Sequence, residues 1–138
     1  MVAELFVDTS AWFPLAVPQD RQHARLAGPL RERVRQGARI VTTNLVIAET
    51  YVLLLRRVRR EAALAFLREI RRPPHVVVAS TEDQELRAER EWLVRYVDQG
   101  FSLTDAVSFT VMSERGIREV LALDHHFAAA GFVLVPGD

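Results

Sequence analysis

The sequence predicts an α/β fold, a mainly parallel five-stranded sheet sandwiched between helices, on three observations. Short apolar runs alternate with longer stretches of helical periodicity. Capping residues open those stretches and glycine or proline closes them. Finally, acidic residues stand where strands end and helices begin, the rim at which open sheets of this kind gather their sites.

Taken in order, Leu5-Phe6-Val7 reads as a strand, and Thr9-Ser10 as the cap of a helix entering at Ala11-Trp12-Phe13. Gln22 to Gln36 reads as an arginine-rich amphipathic helix ended by Gly37. Arg39 to Thr42 is a second short strand, and Thr43 or Asn44 caps a helix to about Arg57. A further helix from Arg60 to Arg71 stops at Pro73-Pro74, which cannot continue it. His75 to Ala79, with its three valines, is the clearest strand. Ser80 or Thr81 caps the next helix, whose first turn holds Glu82, Asp83 and Glu85, as the helix dipole favours. That helix is expected to run to about Asp98 before Gly100. Ser102, with Asp105 three residues on, forms a capping box for a helix closed by Gly116. Glu119 to Leu123 is a strand, His125 to Ala130 a short helix and Phe132 to Val135 a last strand.

The chain has 138 residues, suited to one domain spanning 1–138, and 49% hydrophobic with 26% charged residues is a globular composition. Formal net charge is zero, so polyanion binding must come from local patches rather than an overall basic field. No cysteine is present, which excludes disulfides, thiolate metal sites and cysteine nucleophiles. All eighteen basic residues are arginine, which excludes a phosphate-loop lysine and Schiff-base chemistry. No signal peptide or membrane span is visible, and a soluble, cytoplasmic protein is expected.

Four acids then claim interest: Asp8, Glu49, Asp105 and Asp124. Asp8 ends the first apolar run, Asp124 ends Val120 to Leu123, and Asp105 lies in the opening turn of its helix. Glu49 shares a helix face with Leu45, Val52, Leu53 and Arg56, where a core residue is expected. Singly, Asp8, Asp105 and Asp124 serve equally well as helix caps, and Glu49 serves as a surface acid paired with arginine. Together they point to one rim of one sheet. Carboxylates about 4 Å apart repel by roughly 4 kcal/mol at an effective dielectric near 20, so such a cluster calls for raised pKa values or a cation. Oxygen ligands without cysteine favour Mg²⁺ or Mn²⁺ over zinc. His125 reads as helix surface and His126 as lying near the rim, with a share in the metal site as the alternative.

The segments Phe6-Val7-Asp8-Thr9-Ser10-Ala11, Asn44 to Glu49, Ser102 to Ala106, and Leu123 to Phe127 with Gly131-Phe132 together resemble the PIN domain, and within it the VapC-type ribonuclease toxins of toxin–antitoxin pairs. The resemblance covers nearly the whole chain. It implies a single PIN-like domain, a Mg²⁺-dependent endoribonuclease, a protein antitoxin and a homodimer. It also implies that Asp8 and Asp105 are the main metal ligands, and that Glu49 and Asp124 hold a second ion or orient waters. Thr9 or Ser10 would donate a hydroxyl to Asp8. The chain departs from many relatives at Ala122, where they carry threonine.

RNA contacts are sought among Arg56, Arg57, Arg59, Arg60, Arg68, Arg71 and Arg72, with Arg56, near the Glu49 face, favoured. Two other functions compete. Phosphoryl transfer through a nucleophilic Asp8 is opposed by Ser10 two residues on and by the lack of lysine. A non-catalytic PIN-like scaffold would recruit an arginine-rich partner to the acidic rim. The helix from Leu45 to Val58, apolar on more than one face, suggests an interface.

Overall fold

Each of the five apolar runs becomes a strand in a computed structural model of the protein, which describes residues 2–137. The strands are β1 (Glu4–Val7), β2 (Arg39–Thr43), β3 (His75–Val78), β4 (Glu119–Leu121) and β5 (Val133–Val135). All pairings are parallel, in the order β3-β2-β1-β4-β5. Among the described residues seven α-helices connect them: α1 (Thr9–Leu15), α2 (His23–Arg35), α3 (Asn44–Arg57), α4 (Arg60–Ile70), α5 (Glu82–Ala88), α6 (Leu103–Arg115) and α7 (His126–Ala129). The chain winds outward from β1 to β2 and β3, then returns to β4 and β5 on the other side. With right-handed crossovers, α1 to α4 cover one face of the sheet and α5 to α7 the other. The strand order therefore reverses between β1 and β4.

The central strand explains the core. Leu5, Phe6 and Val7 of β1 and Val120 and Leu121 of β4 are all fully buried, as expected when helices cover both faces. On the α6 side, Phe109 meets Phe127 edge-on at 5.0 Å and Trp92 at 4.9 Å. Trp92 also marks a departure from the expected helix up to Asp98. After α5 the chain opens into a π-helical turn, Glu89–Val94, followed by a 3₁₀ turn, Val97–Gln99. The wider turn inserts a residue, and Trp92 in it packs against Tyr96, Phe101, Phe109 and Phe132.

Helix α3 brings a second correction. Its buried stripe is Val46, Thr50 and Leu54, whereas Glu49 is exposed. Glu49 does not replace a core residue. The inward face is turned roughly a third of a turn from the expected one, because Thr50 hydrogen-bonds inside, to Thr9 Oγ1 at 3.3 Å and the Val46 carbonyl at 2.8 Å.

At the amino ends of the strands, ion pairs stitch the sheet to its helices. Arg115 holds Glu4 through two hydrogen bonds of 3.0 and 2.8 Å, and Arg33 holds Glu119 through two of 2.9 and 3.0 Å. Among the described residues, no helix is long and apolar enough to cross a membrane.

Candidate functional site

The carboxyl ends of β1 and β4 lie side by side at the point where strand order reverses, and a crevice there is the expected ligand position in an open α/β sheet. Asp8 follows β1 directly. It is 4% exposed and caps α1: its Oδ2 accepts the Ser10 N–H at 3.1 Å and the Ser10 hydroxyl at 2.9 Å. The same Ser10 oxygen receives the Leu123 N–H at 2.9 Å and the Asp124 N–H at 3.3 Å. One hydroxyl thus joins the first acid to the loop of the fourth. Of the two hydroxyls expected to serve Asp8, Ser10 does so. Thr9 instead donates to the Val46 carbonyl at 3.4 Å and fastens α1 to α3. Ala122 is buried and without a hydroxyl, and Ser10 supplies the hydrogen bonds that hold the Asp124 backbone.

Asp105 arrives from α6. Its capping box with Ser102 is formed in both directions, at 3.1 and 3.0 Å. That structural role does not exhaust the side chain. His126 Nδ1 lies 3.0 Å from Asp105 Oδ2 and 3.5 Å from Asp124 Oδ1, distances suited to an Nδ1–H donating to carboxylate oxygen. Asp124 Oδ1 in turn accepts the His126 N–H at 2.9 Å, capping the turn into α7. Asp105, Asp124 and His126 offer ligand atoms that all lie within 4.8 Å of one another. As expected, His125 is exposed and His126 lies at the rim, so only the second histidine of the Asp-His-His run meets the acids.

Electrostatics marks the same place. Burial pushes the Asp8 carboxyl up to about 6, and the charge of Asp105 adds to the rise against the opposing hydrogen bonds from Ser10. Asp8 and Asp105 therefore sense each other, and neutral pH leaves an excess of negative charge in a buried corner. The donor set fits a hard divalent cation. Its carboxylates are oxygen donors, and among the described residues no hydrogen bond reaches Asp105 Oδ1 or Asp124 Oδ2. A single imidazole beside them is compatible with Mg²⁺ and more congenial to Mn²⁺.

Glu49 is not drawn into this hydrogen-bonded group. It stands exposed on α3, with no ion pair among the described residues, one helical turn from Leu53. Leu53 does line a cavity together with Ser10, Leu123 and Arg57. Arg56, the favoured RNA contact, is exposed and does not line this cavity; its neighbour Arg57 does.

Comparison with known proteins agrees with the architecture. The PIN domain matches residues 5–133. A protein named 23S rRNA-specific endonuclease VapC20, from two strains of Mycobacterium tuberculosis, is 39% identical over 135 residues, covering 95% of this chain and 97% of its own. The crystal structure of Mycobacterium tuberculosis VapC20, described as a sarcin–ricin loop cleaving toxin, superposes with a TM-score of 0.81 at 37% identity, covering 94% of this chain and 96% of that one. PAE2754 from Pyrobaculum aerophilum superposes with a TM-score of 0.58 at 25% identity, covering 98% and 92%. By sheet order and by likeness along almost its whole length, this chain belongs to the PIN domain family.

Proposed function

We propose that this protein is a divalent-metal-dependent endoribonuclease, the toxin of a toxin–antitoxin pair, acting with Mg²⁺ or Mn²⁺. The observation that carries this is the meeting of Asp8, Asp105 and Asp124 around Ser10 and His126 at the switch point of the sheet. The relatives named above, one of them described as cutting ribosomal RNA, support the substrate class.

A cation bound there supplies positive charge against a phosphodiester and lowers the pKa of a water for attack. The chain's own residues do the rest. Asp8 and Asp105 give the buried anionic wall that selects and holds the cation. Asp124, fixed by Ser10 and His126, closes the opposite side. His126 keeps Asp105 and Asp124 in register, with ligand atoms of the three within 4.8 Å of one another. Glu49, exposed on α3, orients waters or a second ion from solvent.

A protein antitoxin fits the same electrostatics, because an arginine from a partner satisfies the acids bidentately and excludes the metal. A homodimer and a cytoplasmic setting complete the proposal.

The test is cleavage of RNA containing the sarcin–ricin loop by purified protein, with and without Mg²⁺ or Mn²⁺. Metal-stimulated cleavage should fall at least about 100-fold in Asp8→Asn, the loss expected when charge preorganisation at the reacting phosphate is removed. Undiminished cleavage by that variant overturns the assignment.

A further inference from the structure

A cavity of about 300 Å³ opens beside the acid cluster, walled by Ser10, Phe13, Asp20, Gln22, Leu53 and Arg57. It shares two neighbours with the cluster. Ser10 is hydrogen-bonded to Asp8, and Leu123, also on the wall, directly precedes Asp124. The cavity thus adjoins the cluster through Ser10 and Leu123, while Asp8, Asp105 and Asp124 do not themselves line it.

Its chemistry is mixed in a specific way. Phe13, Leu53 and Leu123 give apolar walls, while Asp20 and Gln22 add polar residues to the lining. Asp20 Oδ1 accepts the Gln22 N–H at 2.8 Å, which fixes that loop. The Arg57 guanidinium lies 6.0 Å from the centre of the Phe13 ring and pairs with no carboxylate among the described residues. A cation over an aromatic ring at this distance is loosely held and free to meet an anion. Glu49, Leu53 and Arg57 follow at four-residue steps and share one ridge of α3.

Apolar walls for a base, polar edges and an unpaired arginine for phosphate are the parts of a single-stranded nucleotide subsite. With zero net charge on the whole chain, such local cations must carry the attraction. We propose that this cavity binds a nucleotide of the RNA strand beside the scissile bond, with Arg57 on its phosphate and the base lodged between Phe13 and Leu53. This rests on the nuclease assignment and adds to it the residues that seat the strand.

The experiment places Arg57→Gln in the cleavage-deficient Asp8→Asn background and measures binding of a short labelled single-stranded RNA by fluorescence anisotropy across a salt series. Affinity should fall roughly 5- to 20-fold, and the slope of log affinity against log salt should shrink by about one, as one phosphate contact is lost. Arg118→Gln, an exposed arginine at the far end of the sheet, should leave both unchanged. With Asp8 intact, Arg57→Gln should raise KM more than it lowers kcat while Mn²⁺ affinity by calorimetry stays constant. A wild type that cleaves RNA, with Arg57→Gln binding and cleaving equally well, overturns the subsite and leaves the nuclease standing. An equal loss from Arg118→Gln also overturns it, because the effect is then one of bulk charge. A wild type that neither binds nor cleaves RNA overturns both.

Discussion

Asp8 is 4% exposed and caps α1, so at neutral pH its charge is held against the cost of its own burial. Its carboxyl is pushed up to about 6 in the folded chain, above the unfolded value of about 3.9. Between those values the folded state binds more protons than the unfolded one, so stability falls as pH rises through the window and stays low above it. In metal-free protein, Asp8→Asn should therefore gain about 2–3 kcal/mol near pH 7.5 and almost nothing near pH 4. Urea denaturation at the two pH values measures this, since asparagine keeps an oxygen for the Ser10 hydrogen bonds. Conversely, Mn²⁺ affinity measured by calorimetry should climb as pH passes about 6, because the cation competes with that proton. Ser10 is the second residue whose loss should be felt. Ser10→Ala removes a donor from Asp8 and an acceptor from two backbone N–H groups. A cost of about 1–3 kcal/mol follows from leaving those groups unpaired, and cleavage should fall more than stability explains, measured on protein still fully folded.

Helix α3 shows what an element does that no single residue reveals. Its sequence is apolar on several sides, so periodicity alone cannot choose the inward face, and the buried threonine at its centre decides the matter. Glu49 in consequence faces solvent, and Glu49→Gln should change stability by less than about 0.5 kcal/mol in thermal denaturation. A drop in metal-stimulated cleavage with unchanged melting would place Glu49 among the working acids; unchanged cleavage would remove it. The strands were legible for the opposite reason. Runs such as Val76-Val77-Val78 permit little else, and the caps at Thr43, Thr81 and Ser102 announce their helices. The π-helical turn was not legible. Its register is set by Trp92 reaching Phe109 and Phe132, partners that lie 17 and 40 residues further along the chain.

Over the whole molecule, labour is divided between the two ends of the sheet. The amino end carries the ion pairs of Glu4 and Glu119, and the carboxyl end carries Asp8, Asp105 and Asp124, which among the described residues pair with no arginine. The Arg115 hydrogen bonds hold the Glu4 carboxyl below its usual range, with the charges of Arg115 and Arg39 assisting against burial. That depression stabilises the fold above the unfolded carboxylate pKa and is lost as pH falls through the lower folded value. Glu4→Gln should cost about 1 kcal/mol at neutral pH, less in acid, and leave RNA cleavage unaltered; a chemical-denaturation series and a cleavage assay check the two halves. The acids at ends of strands were visible from the sequence because capping and metal binding ask for the same residues in the same places. The sequence put His126 near the rim, while its contacts with Asp105 and Asp124 are set by the geometry of a two-residue turn.

The middle strand of the sheet is the first to be made, and its neighbour across the switch point is the fourth. Asp8 therefore precedes Asp124 by 116 residues of chain, and β2 and β3 are made between them. A chain made only as far as β3 thus has Asp8 without Asp105, Asp124 and His126, and no crevice to close on a cation.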